Sequence, residues 1–338
     1  MKKYAYGLAL ILGVIAPLTV ARGATLDDVK ARGYVLCGTQ ARMPGFSQVD
    51  DKGKWSGMDV DVCRAVSAAI FGDPDEVHYI DETAKERFTA LQSGTIDLLV
   101  RDTTWAMHRD TALGLNFTGT NVYDGLGFMI PKSLGLTSIT QLDGASICIE
   151  AGTTHESVIA DYFRAHKMDY EAVTYNRGEE AIRAMVDGRC DTFAYEVGTG
   201  AALRMQLPHP EKYVFLPGLI SKEPLGPVVR QGDDQWFNIV KWALFAMINA
   251  EELGVTSENV EQMLSSDNPK IRRLVGAEGE FGSDLGLKND WAYNIIKYVG
   301  NYGEAFERNM GLNTPLHLER GLNRLWTDGG LIYAPPIR

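Results

Sequence analysis

A chain of 338 residues, 45% hydrophobic and 23% charged, has globular composition. It is long enough for two lobes of about 100–150 residues each. The formal net charge is −11 and no stretch beyond the first few residues is basic. That argues against nucleic-acid binding, because phosphate neutralisation takes clustered Lys and Arg.

The chain opens with Lys2 and Lys3. An apolar run follows from Tyr4 to Val20, broken by Gly13 and Pro17, and then small residues at Ala21, Gly23 and Ala24. This is the layout of a cleavable export signal, read as residues 1–23. Cleavage after Ala21 and cleavage after Gly23 both satisfy the small-residue rule. An uncleaved membrane anchor is the alternative; the run is marginal against the about 20 apolar residues that span a bilayer. No cysteine lies near the cleavage region, so a lipid anchor is not expected. No later segment is long and apolar enough to span, so the mature chain is expected to be soluble.

The four cysteines are Cys37, Cys63, Cys148 and Cys190. An even count in an exported chain favours disulfides, and spacing alone leaves three pairings open. None of the spacings is C-x-x-C, so a zinc site is the weaker alternative; free buried thiols are another.

In chain order, Tyr34–Thr39 reads as a buried strand and Gly57–Ile70 as a helix with apolar residues at helical spacing. Val77–Asp81 is a strand, Lys85–Gln92 a helix and Ile96–Val100 a strand. A second set follows: strand Ala145–Glu150, a helix opened by Gly152 and running to His166, and a strand near Ala172–Tyr175. It continues with helix Gly178–Val186, strand Asp191–Tyr195, a helix through Leu207 and a short strand at Val214–Leu216. Thr153 or Thr154 can cap the helix after Gly152. Strands alternating with helices predict two parallel sheets covered by helices. The Gly/Pro-marked segments Gly125–Pro131 and Glu223–Arg230 read as crossovers between lobes. Lobe 1 is then 24–128 plus 223–338, and lobe 2 is 129–222. Asp234–Ala250 reads as a buried helix completing lobe 1. From about residue 270 the tail is helical in pattern, over Asn289–Arg308 and Leu316–Trp326, and is expected to wrap a lobe.

Several short motifs fall in one order. They are GKWSGMDVD (Gly53–Asp61), LQSGTID (Leu91–Asp97), Phe117, Gly152–Thr154 and GRCD (Gly188–Asp191). In this order the chain resembles the type II periplasmic solute-binding proteins for polar amino acids. VCRAV (Val62–Val66), Arg101–Trp105 with Arg109–Asp110, Ser221–Trp236 and the long C-terminal extension resemble its general L-amino-acid-binding subfamily. The resemblance implies two doubly wound α/β lobes closing like a Venus flytrap, with ligands at the carboxyl ends of parallel strands. It implies the pairings Cys37–Cys63, strand to following helix, and Cys148–Cys190, on neighbouring strands.

It also implies ligand roles. Arg109 holds the family's carboxylate-binding position, joined by Thr104 and Thr154 at helix starts in different lobes. Without the resemblance, Arg109 reads as a surface partner of Asp110. Glu196 stands where the family has an Asp for the ligand's ammonium. Asp102 stands where the subfamily has Asn, and is a second candidate for that ammonium. Gln40, Arg42, Met43, Thr83, Ala84, Arg101 and His155 are candidates for the side-chain pocket, with Arg87 nearby. Arg42 and Arg101 could meet a second carboxylate, and Met43 could equally be core filling. The histidines show no metal-ligand spacing, and no cofactor is expected.

The function implied is that of the periplasmic binding component of an ABC importer. Its partners are a small amino-carboxylate ligand and a membrane permease, and a monomer is expected. Two alternatives share the fold: a cyclohexadienyl dehydratase-like enzyme and a binding protein that presents ligand to a chemoreceptor. No independent catalytic motif is present.

Overall fold

Two five-stranded sheets carry the chain in a computed structural model that describes residues 25–338. The expected export signal, residues 1–23, lies outside the described residues. In the first sheet Val35–Thr39 pairs in parallel with Val77–Asp81 on one side and Leu98–Leu99 on the other. In the second, Ala145–Glu150 pairs in parallel with Tyr170–Tyr175 and Thr192–Glu196. Helices cover these strands, which is why runs such as Ile147–Ile149 and Leu98–Val100 are continuously apolar and buried.

Each sheet is wound the same way. The first strand of each set lies between the second and the third, and one antiparallel strand follows. That antiparallel strand is Val228–Arg230 in the first sheet and Leu126–Pro131 in the second. Two doubly wound α/β lobes are therefore present, as expected.

The crossovers differ from the sequence reading. Leu126–Pro131 is not a connector: it lies inside the second sheet, between Thr192–Glu196 and Tyr213–Phe215. Residues 126–128, read as the end of lobe 1, thus belong to the second sheet. The physical reason is burial, since Leu126, Phe128, Met129 and Ile130 are all core residues. Gly127 serves this packing, because a Cβ there would stand 2.8 Å from Val197 Cγ2. The chain crosses at Val122–Asp124 and returns at Glu223–Leu225, and these two segments pair antiparallel with each other.

The returning helix Asp234–Glu252 packs under the first lobe. Asp233 caps it by accepting the Trp236 N–H (2.9 Å), and the Trp236 indole donates to the Asp97 carbonyl (2.9 Å). In the tail, the stretch Asn289–Arg308, expected to be helical, forms two helices, Trp291–Tyr298 and Tyr302–Asn309. They separate where Asn301 and Glu304 form a capping box. Leu316–Trp326 is not an α-helix. It contains the short 3-10 turn Gly321–Asn323, and Leu325 forms a bridge with Ile332. The tail wraps the first lobe. Asp61 accepts from Arg308 and Asn309 (2.6 Å each), and Tyr302 donates to the Asn121 carbonyl (2.9 Å). Asn323 accepts the Tyr123 N–H (2.6 Å) and donates to its carbonyl (3.1 Å).

Both expected disulfides are formed, Cys37–Cys63 and Cys148–Cys190, with Cα separations of 6.3 and 5.7 Å. Cys190 is not on a strand, however: it sits in the loop just before Thr192–Glu196. Among the described residues no helix is long and apolar enough to cross a membrane.

Candidate functional site

The carboxyl ends of the parallel strands in the two sheets face each other and deliver polar side chains to one place. Leu98–Leu99 leads into Arg101, Asp102 and Thr104. Ala145–Glu150 leads into Thr153, Thr154 and His155, and Thr192–Glu196 ends in Tyr195 and Glu196. With Arg87 and Arg109 these residues line a narrow cavity between the lobes. Gly152 allows the close approach. Its φ is 82°, and a Cβ there would lie 2.9 Å from Lys85 Cγ and 3.1 Å from the Lys85 nitrogen of the opposite lobe.

Arg109 is buried on this cavity, donates to the Thr104 carbonyl (3.0 Å) and lies 5.1 Å from the Phe88 ring centre. It is no partner of Asp110, whose carboxylate accepts the Phe117 N–H (3.3 Å). Arg87 shares the same ring at 4.9 Å. Burial and the neighbouring Arg109 and Arg101 charges push Arg87 down to about 9, and its Nε has no hydrogen-bond partner. Two cations thus face the cavity on one aromatic support, an arrangement suited to an anionic group.

Thr154 begins the helix His155–His166, but its hydroxyl does not cap it; it donates to Glu223 (3.2 Å) in the returning crossover. Thr153 donates to the Glu150 carbonyl (2.7 Å) and accepts the His155 N–H (3.2 Å). The helix start therefore lies at the cavity edge, with its first N–H, that of His155, taken by Thr153.

Two carboxylates complete the lining. Asp102 has φ 35°, a left-handed conformation stabilised by its N–H donating to Asp59 (2.9 Å). Asp59 comes from the GMDVD motif and also accepts from Asn121 (2.9 Å); burial and the nearby Asp102 push it up to about 7. Glu196 lies 3.0 Å from His155 Nε2, both fully enclosed, and the His155 ring meets Tyr195 edge-on. Burial pulls His155 toward neutrality, but the Glu196 carboxylate outweighs it and holds the imidazole above its usual range. The converse holds for Glu196: burial pushes it up, and His155 brings it below the usual carboxylate range.

Arg101 differs from its expected role. Its guanidinium is occupied by protein: Nε donates to the Glu82 carbonyl (2.8 Å), Nη1 to Asp102 (3.2 Å) and Nη2 to Glu150 (3.0 Å). It lines the cavity but holds no free fork for a second carboxylate. Four pocket candidates lie off the cavity wall, and Gln40, buried just after the first strand, is a fifth. Met43 is core, as its alternative reading had it. Arg42 is exposed, and its carbonyl accepts from Gln206 (2.9 Å). Thr83 donates to Glu86 (2.7 Å), and Ala84 is buried against Gly152. These residues fall in hairpin and turn segments whose direction no spacing rule states. Glu150 and Tyr195 were not among the sequence candidates. Their one signal is a polar group ending an otherwise apolar strand.

Comparison with known proteins places this geometry in a family. Residues 35–259 match the bacterial extracellular solute-binding proteins, family 3. The chain belongs to that family. It is 52% identical over 332 residues to the general L-amino acid-binding periplasmic protein AapJ of Rhizobium johnstonii, covering 98% of this chain and 97% of the relative. It is 48% identical over 340 residues to the glutamate/glutamine/aspartate/asparagine-binding protein BztA of Rhodobacter capsulatus, covering all of both. Among solved structures, an ABC transporter periplasmic binding protein from Brucella ovis with glutathione bound superposes with a TM-score of 0.92 at 53% identity. It covers 94% of this chain and 100% of that one. The tail beyond residue 259 lies outside the family match and inside these longer alignments.

Proposed function

We propose that this chain is the periplasmic binding component of an amino-acid ABC importer. Its ligand carries a free α-amino-carboxylate head. The observation that carries the reading is the enclosed cavity in which Arg109 and Thr104 of one lobe face Thr154 of the other. The ligand carboxylate lies on Arg109 and the Thr154 helix start, and the ammonium on Asp102 and Glu196. Arg87 supplies a second cation toward the side chain, which favours acidic ligands and their amides. Glutamate, and the γ-glutamyl end of glutathione, both carry the required head, and the named relatives support this class.

In this reading the lobes meet at a hinge formed by Val122–Asp124 and Glu223–Leu225, the export signal is cleaved, and the closed form docks on the permease. The site binds without turning over its ligand. Calorimetric titration with glutamate, glutamine, aspartate, asparagine and glutathione tests this, with Arg109→Ala as the variant. Leaving a buried carboxylate without its partner costs about 2–5 kcal/mol, or roughly 30-fold or more in Kd. A loss below about threefold sinks the assignment. Ligand recovered after long incubation has unchanged mass; a product peak shifts the reading to an enzyme.

A further inference from the structure

The cleft is closed by more than the groups that face a ligand. Glu150 ends a strand of the second lobe, is fully buried, and is not part of the cavity lining. Its two oxygens are both engaged: one accepts from the Tyr195 hydroxyl at 2.6 Å, the other from Arg101 Nη2 at 3.0 Å. Tyr195 belongs to the same sheet as Glu150, and Arg101 follows a strand of the other sheet. One bond of the pair is therefore internal to a lobe and one crosses the cleft.

Arg101 is built the same way. Within its own lobe it donates to the Glu82 carbonyl and to Asp102; across the cleft it donates to Glu150. Separating the lobes breaks one bond and leaves each partner with bonds at home. A buried ion pair whose opening isolates a charge is costly to break; a pair with local partners on both sides can be made and broken repeatedly. Besides Thr154 with Glu223 of the returning crossover (3.2 Å), two further side-chain bridges between the lobes lie at the surface. Arg177 meets Asp81 at 3.0 Å, and Lys85 meets Asn176 at 3.0 Å. Water and salt weaken these.

We propose that Glu150 is a positioning residue for ligand capture: on closure it takes Arg101 across the cleft and so fixes the Asp102 carboxylate that Arg101 holds. Asp102 is then set from two directions, its backbone by Asp59 and its carboxylate by Arg101. The step from Asp102 to a ligand rests on the binding reading above. The bridge itself does not.

The test is Glu150→Gln, which keeps an acceptor for Tyr195 and removes the charge. Stopped-flow binding of glutamate is expected to show dissociation about tenfold faster, with association within about twofold, because the bridge exists only after closure. A folding defect alone lowers the active fraction and leaves the dissociation rate of the remainder unchanged. Arg101→Gln and the double variant complete a cycle, and coupled partners lose less together than the sum of the single losses. Small-angle scattering without ligand gives an independent readout. Ligand-free Glu150→Gln is expected to have the larger radius of gyration, since the wild-type bridge biases the lobes toward each other. If no amino-carboxylate binds the wild type, the binding reading fails and this ligand-free difference still decides the bridge. Equal radii, additive losses in the cycle, or a folded Glu150→Gln with wild-type dissociation each overturn the proposal.

Discussion

His155 and Glu196 face each other at 3.0 Å inside the closed cleft, and their titrations are displaced in opposite directions. A histidine held above its ordinary 6.5 contributes stability in full below that value and loses it as pH rises through the displaced one. A carboxyl held below its ordinary 4.5 contributes in full above that value and loses it as pH falls through the displaced one. The pair therefore stabilises the fold most between 4.5 and 6.5. His155→Gln is expected to lose more stability relative to wild type near about pH 6 than near about pH 9. Urea unfolding at the two pH values measures this; an equal loss at both contradicts the pairing. Asp102, Glu196, Arg109 and Thr154 were legible as candidates because they stand at motif positions. The occupation of Arg101 was not legible. A guanidinium's partners come from segments 19 and 49 residues away, and composition does not say whether its fork is free.

Elements were read best where one periodicity ran unbroken. Val77–Asp81, Ala145–Glu150 and Gly178–Val186 match their expected bounds, since burial on a single face dictates the residue pattern. Failures came where the pattern fits two structures. The apolar run Leu126–Pro131 serves equally as connector or strand until a neighbour is present. The tail's Leu316–Trp326 has apolar residues at helical spacing but is shaped by backbone bonds to residues 331–332. The disulfides act at this scale, tying strand to helix in one lobe and strand to loop in the other. Closing loops with sequence separations of 26 and 42 corresponds to about 3.5 and about 4 kcal/mol in a chain-entropy account. The double variant Cys148→Ser/Cys190→Ser is expected to lose roughly 2–4 kcal/mol in denaturant unfolding. A loss below about 0.5 kcal/mol contradicts this.

For the molecule as a whole, the proposed binding cycle makes closure of the two lobes the functional coordinate. The lobes touch through a buried bridge, through surface pairs, and through the paired crossover segments, which the tail grips at Tyr123 by both polar groups of its backbone. Arg177 is partly exposed and pairs with Asp81 near bulk water, so its contribution is screened. Arg177→Ala is expected to raise Kd for the bound amino acid by less than about threefold at low salt, and not measurably at about 1 M salt. Calorimetry at both ionic strengths checks this. A large, salt-independent loss would show that the surface pair, and not the buried one, dominates closure.

Strand and helix alternation, the ordered motifs and the even cysteine count determined from sequence alone that two wound lobes would form, with polar groups gathered at strand ends. Those features depend on local periodicity and on short spacings along the chain. Only the tertiary structure decided where the chain crosses between lobes, which guanidiniums remain available, and that Glu150 meets Arg101. These depend on which distant segments share a buried volume, a property of the packed molecule and not of any window of residues.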